Sequence, residues 1–193
     1  MGARIFVTSD SHFGHINMLT FTREDGVTPV RPEFATVAQM NEALIERWNA
    51  VVRPQDHVYH LGDVALSLTA AREFVPHLNG HKRLVLGNHD QPDARAYMAM
   101  GFKKVFSSRL LDDVLLTHIP IHPKSIPAYC LGNIHGHIHE RAEFGPRYLN
   151  VSVEQTEYAP ITLETARAVL RLRRAAADDP FTPPLRKPKE AQR

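Results

Sequence analysis

The chain has 193 residues, of which 43% are hydrophobic and 23% charged, with a formal net charge of +2 and a pI near 8.8. These values suit one soluble globular domain with a sizeable core, and they give no strong case for attraction to duplex nucleic acid or to a membrane surface. The single cysteine, Cys130, excludes an internal disulfide framework and fits a reducing cytoplasm. No apolar stretch approaches the roughly 18 residues of a membrane span. The expected location is therefore the cytoplasm.

In chain order, the first apolar run is Arg4-Ile5-Phe6-Val7, short enough to read as a buried strand. Asp10-Ser11-His12 follows it directly. Phe13–Ala35, rich in turn and charged residues, reads as a loop. From Thr36 to about Val52, the residues Val37, Met40, Leu44, Trp48, Val51 and Val52 fall on one helical face. Thr36 and Gln39 form a capping box, and Arg53-Pro54 ends the helix. Val58-Tyr59-His60-Leu61 is a second strand before Gly62-Asp63, and Leu68–Val75 a short helix. Arg83-Leu84-Val85-Leu86 is a third strand before Gly87-Asn88-His89-Asp90.

Asp93–Met100 reads as a further helix, Lys104–Ser107 and Val114–Leu116 as strands, and His118 follows the latter. Leu131–Ile134 leads into Gly136-His137-Ile138-His139. Arg147–Gln155 alternates as a late strand, and Leu163–Arg174 is a basic amphipathic helix. The expected domain is 1–174. Residues 175–193 hold four of the fourteen prolines, a composition expected of a flexible tail. Strands alternating with helices give an α/β class. Residues of metal-binding type recur at the carboxyl ends of successive strands, where open α/β sheets place their sites.

The five motifs (D-x-H, G-D, G-N-H-D, H and G-H-x-H, in that order) match the signature of the calcineurin-like metallophosphoesterases. The resemblance covers Arg4 to about Ala166. The extended first motif, Ser9 through Asn17, is similar to small bacterial and phage phosphoesterases. This resemblance implies a four-layer α/β/β/α sandwich with two facing mixed sheets and the metal site at the strands' carboxyl ends. It implies Asp63 as a bridging ligand, Asp10, His12 and His139 around one ion, and Asn88, His118 and His137 around the other. His89 would be the general acid, held by Asp90.

With nitrogen and oxygen ligands and no thiolate, two divalent transition-metal ions are expected: manganese first, with iron, zinc, cobalt or nickel as alternatives. The implied reaction is phosphoester hydrolysis by a metal-bridging hydroxide, with a small or cyclic nucleotide diester as the expected substrate. The alternatives are a phosphomonoesterase acting on nucleotides or proteins, a nuclease, and a non-catalytic metal-binding scaffold. Every signature position is filled, which counts against the scaffold, and the chain lacks a strong basic stripe, which counts against the nuclease.

Of the 12 histidines, five belong to the signature. His15 and Asn17, which follow the first motif, are the expected substrate contacts. His57, His60, His77, His81, His122 and His135 default to structural roles. Arg23 and Arg141 are expected to be solvated.

Overall fold

The computed structural model describes residues 2–177, so most of the Pro-rich segment expected to form a tail lies outside the described residues. Four strands, β1 (Ile5–Thr8), β2 (His57–His60), β3 (His81–Val85) and β4 (Lys104–Phe106), run parallel in the spatial order β4-β3-β2-β1. A second sheet holds β5 (Arg109–Leu111), β6 (Val114–Leu116), β7 (Gly132–His135) and β8 (Tyr148–Asn150). In it, β6, β7 and β8 are parallel and β5 is antiparallel. The short β9 (Ile161–Thr162) returns to the first sheet antiparallel to β1. The protein is thus a mixed α/β fold with two mixed sheets and flanking helices.

Both faces of the first sheet are covered, which is why its strands read as unbroken apolar runs. Alternate side chains point to opposite faces. Phe6, Val58 and Leu84 enter one apolar cluster, whereas Val7, Tyr59 and Val85 enter another. The first cluster receives Met40, Leu44 and Trp48 of α1 (Val37–Val51), Ala71 of α2 (Leu68–Phe74) and Tyr97 of α3 (Ala94–Ala99). The second joins both sheets through Val114, Leu116, Ile134 and Leu149, and is closed by Leu163, Ala166 and Leu170 of α4 (Leu163–Ala176).

Helix α1 has the expected start. The Thr36 hydroxyl accepts the Gln39 N–H at 3.2 Å, and the Gln39 side chain reaches back to the Ala35 N–H at 3.1 Å. Helix α4 continues two residues past its expected end. Among the described residues, no helix is long and apolar enough to cross a membrane.

Four elements depart from the sequence reading. The expected strand Arg147–Gln155 stops at Asn150, because the Asn150 side chain accepts the Ser152 N–H at 3.0 Å and turns the chain into a 3-10 turn at Val153–Gln155. Strands β5 and β9 had not been anticipated. Both are short, and β5 is largely exposed, so neither leaves an apolar run. Segment 13–35 is more than a draped loop: Phe13, Met18, Val30 and Phe34 are buried in the first cluster.

Candidate metal centre

Parallel order in β1, β2 and β3, and again in β6 and β7, brings five chain reversals together. Each reversal carries one of the motifs. The pairing continues past the strands, with Asp10 N–H donating to the Gly62 carbonyl at 2.9 Å, His12 N–H to Asp63 at 3.0 Å and Gly136 N–H to His118 at 2.9 Å. Ser9 bridges to Ser152, linking the two sheets at this point.

The backbone here is held in a costly conformation. Of the eight non-glycine residues with positive φ among the described residues, five are motif residues: Asp10, His12, Asp63, His137 and His139, with φ between 49° and 72°. Asp and His enter the left-handed region more readily than most residues. Each still costs of the order of 1–3 kcal/mol and persists only where the surroundings enforce it. Two glycines allow the close approach. A methyl group on Gly87 would collide with the Asp63 carboxylate, and one on Gly136 with Ser9 and the Asp10 carboxylate.

The side chains converge as two triads, Asp10–His12–His139 and Asp63–His118–His137, each with its donor atoms within 4.8 Å of one another. Asn88 joins the second, its Oδ1 lying 2.8 Å from His118 Nε2. Asp63 stands between them: its Oδ2 is 3.5 Å from His12 Nε2 and 3.4 Å from His118 Nε2. Asp10 Oδ1 and His12 Nε2, 4.0 Å apart, are buried without a hydrogen-bond partner among the described residues. Orphaned buried polar atoms are expensive, and a cation between these two would satisfy both.

Outer contacts fix the rings in the same sense. His118 Nδ1 donates to the Leu61 carbonyl at 2.8 Å, and His139 Nδ1 to Glu154 at 3.1 Å, which turns each Nε2 toward the centre. The residues present therefore fit a pair of divalent cations.

Charge follows from this packing. Burial works against Asp63 ionisation, but the hydrogen bond and charge of His118 and the His89 backbone N–H hold its carboxyl well below the usual range. Burial pushes Asp10 up and His12 well down. Glu154 would rise through burial, yet Arg31 and then His139 bring it down to about 2.

Four residues of this centre were not foreseen. Arg31, fully buried, donates to the Asp10 carbonyl at 2.6 Å, to the Ser11 carbonyl at 3.0 Å and to Glu154 at 2.8 Å. Ser152 donates to Asp10 Oδ2 at 2.9 Å, beside the His137 N–H at the same distance, and Asn150 donates to the His139 carbonyl at 2.6 Å. The alternation Asn150-Val151-Ser152-Val153-Glu154, polar at every second position with buried valines between, was the available signal.

Glu154→Ala leaves the buried Arg31 guanidinium uncompensated and should lower unfolding free energy by about 3–5 kcal/mol. Denaturant titration of metal-free protein measures this. A loss below about 1 kcal/mol, the scale of an ordinary surface change, would refute the role.

Some expected site residues lie elsewhere or have other partners. Asp90 does not hold His89: its carboxylate accepts the backbone N–H groups of Asp63 (2.8 Å), Gly87 (2.9 Å) and Val64 (3.1 Å), and the Tyr97 hydroxyl (3.1 Å). A buried carboxylate meets stronger competition from backbone donors than from an exposed ring, and His89 is exposed. The His89 ring lies 5.5 Å from that of His12, and its backbone N–H donates to Asp63 at 2.9 Å.

His15 is buried against His12, with Nδ1 atoms 3.4 Å apart. Asn17 sits exposed on a 3-10 turn. Arg141 is exposed and paired with Glu24 at 3.5 Å. His60 and His135 are structural, the former meeting Ser11 Oγ at 2.8 Å and the latter the Gly136 carbonyl at 2.9 Å.

Two clefts open from the triads. One, of about 370 Å³, lies against His137 and His139; the other, of about 360 Å³, lies against Asn88 and His118 and carries Ser107, Ser108 and Thr117. A larger cavity of about 1000 Å³ between α1 and α2 contains none of the converging donors.

Fold and site together define a mixed α/β protein with two adjoining candidate metal-binding triads. The chain is 35% identical over 177 residues to the uncharacterized protein MJ1445 of Methanocaldococcus jannaschii, covering 83% of this chain and 88% of that protein. It belongs to the same family. The Gene 66 protein of Mycobacterium phage L5 is 29% identical over 136 residues, covering 58% of this chain and 61% of that protein. Among solved structures, the protein of unknown function AQ665 from Aquifex aeolicus shares the fold, with a TM-score of 0.67 at 24% identity over 87% of this chain and 100% of that one. No family model matches the chain.

Proposed function

We propose that this protein is a binuclear metal-dependent phosphoester hydrolase of the calcineurin-like type, acting on small phosphodiesters. The observation that carries the reading is the pair of triads, with Asp63 of the second 3.5 Å from His12 of the first and with Asp10 Oδ1 and His12 Nε2 buried and unpartnered among the described residues. Asp10, His12 and His139 would hold one cation, Asn88, His118 and His137 the other, and Asp63 both. Bound divalent cations supply Lewis-acid polarisation of phosphoryl oxygens and a nucleophile at neutral pH. The imidazole-rich, thiolate-free donor set supports manganese or a related transition ion. With this reading goes a four-layer sandwich whose hydrolase domain ends with α4, in a reducing cytoplasm consistent with the buried Cys130.

The chain's own groups do the remaining work. Exposed beside His12, His89 donates a proton to the departing oxygen. Asp90 shapes the turn that presents His89 rather than charging its ring. Leu61 and Glu154 hold two ligand rings in orientation.

Diester preference is supported by clefts on both sides of the triads, room for two substituents on one phosphate. It is supported also by the arginines: Arg31 is spent on Glu154 and backbone carbonyls and Arg141 faces Glu24, so neither closes around a third phosphate oxygen.

The test compares a nitrophenyl diester with the matched monoester under one manganese load, before and after chelation. Chelation should abolish hydrolysis and manganese restore it, with the diester cleaved at least as well. Turnover by protein shown metal-free by elemental analysis would end the hydrolase reading. A monoester preference of about a hundredfold, near 2.7 kcal/mol of transition-state discrimination, would end only the diester part.

A further inference from the structure

We propose that the cleft against His137 and His139 is a subsite for a planar aromatic arm of the substrate, such as a nucleobase, with Phe21 as its stacking surface. This rests on the phosphoester reading of the triads. The cleft's volume of about 370 Å³ falls in the range of small-molecule sites. Its lining is mixed: Met18, Phe21, Val30 and Ile138 give it an apolar side, and Thr22, His137, His139, Glu140 and Arg141 a polar one, so a ring can stack while its edge keeps polar neighbours.

Phe21 is 46% exposed and packs into neither large apolar cluster, so core packing does not account for it. Its ring meets His15 edge-on at 5.8 Å, and His15 in turn lies 5.4 Å from the ligand candidate His12. A file of rings thus leads from the first triad outward to an exposed aromatic face.

That face is already held in place. The Phe21 N–H donates to Asn17 at 2.9 Å, and its carbonyl accepts from Val30 at 2.9 Å. Thr22 bridges to Pro29, and the adjoining Arg31 is locked to Glu154. Little ordering would remain to be done on binding, the condition under which a rigid aromatic contributes most. Every nucleobase has a π face for such a platform, whereas a methyl or sugar arm gains little from it. The other cleft sets Ser107, Ser108 and Thr117 beside Leu86, Ile119 and Ile121 and has no Phe, Tyr or Trp in its lining, so the two arms of a diester would be told apart by the stacking ring.

The experiment uses two diesters with the same nitrophenyl leaving group, one carrying thymidine and the other methyl. Manganese-loaded wild type should favour the thymidine diester in kcat/KM by about 5–150-fold, the stacking contribution of one base expressed as a ratio. Phe21→Ala should collapse that ratio while metal content, by elemental analysis, matches wild type. Phe21→Trp should preserve it, as should Phe144→Ala, which removes another exposed aromatic outside the cleft.

Calorimetric binding of thymidine monophosphate against methyl phosphate gives a second readout. If neither diester is cleaved but thymidine monophosphate binds in a Phe21-dependent way, the hydrolase reading falls and the subsite stands. A thymidine preference absent from both assays, or one that survives Phe21→Ala, overturns the subsite.

Discussion

Asp63→Asn is expected to strip the protein of most bound metal and nearly all hydrolysis while leaving the fold intact. The fold survives because asparagine tolerates the left-handed conformation at φ 55° and keeps an oxygen for the His89 N–H. What disappears is the negative charge 3.5 Å from His12 of one triad and 3.4 Å from His118 of the other. Losing an outer partner of a metal ligand costs about 10–100-fold in affinity, and losing a shared ligand should exceed that. Elemental analysis after gel filtration, together with kcat/KM for a nitrophenyl diester, decides the matter. Wild-type metal content with wild-type turnover would remove Asp63 from the centre.

His89→Ala should behave in the opposite way, keeping metal and losing rate by roughly 10²–10⁴-fold, the usual scale for a general acid. The His89 hydrogen bond to Asp63 comes from the backbone N–H, which the substitution leaves in place. The deficit should shrink with nitrophenolate as leaving group, since a weak base needs no proton on departure. His137→Ala should instead shed metal, because that ring is one of three convergent donors. If the His89 variant releases metal as readily as the His137 variant, His89 is a ligand and the acid must be sought elsewhere. Asp90 would not be that acid, since its oxygens are engaged by three backbone N–H groups and Tyr97.

The converging candidate ligands were legible in the sequence because metal chemistry admits few residue types and strand ends are marked by short apolar runs. Asp10, His12, Asp63, Asn88, His118, His137 and His139 all follow such runs, and the structure brings all seven together. The helices were legible for a similar local reason, with Thr36, Ser67 and Asp93 capping their first turns. What surrounds the ligands was decided by tertiary approach. Arg31 and Glu154 are 123 residues apart, and no spacing rule links a loop arginine to a glutamate on a late 3-10 turn.

Asp90 shows the complementary limit. A carboxylate accepts from an imidazole or from backbone N–H groups equally well in principle. Burial of the turn around Gly62 and Gly87, absent from the local sequence, left those backbone donors in need of it. Likewise β5 and β9 exist because neighbouring strands offer unpaired edges, not because Arg109–Leu111 or Ile161–Thr162 favours a strand alone. The sequence by itself determined which atoms are available for metal chemistry. The tertiary structure decided how they are oriented and what compensates their burial, because those depend on contacts between segments that only the folded chain brings into reach.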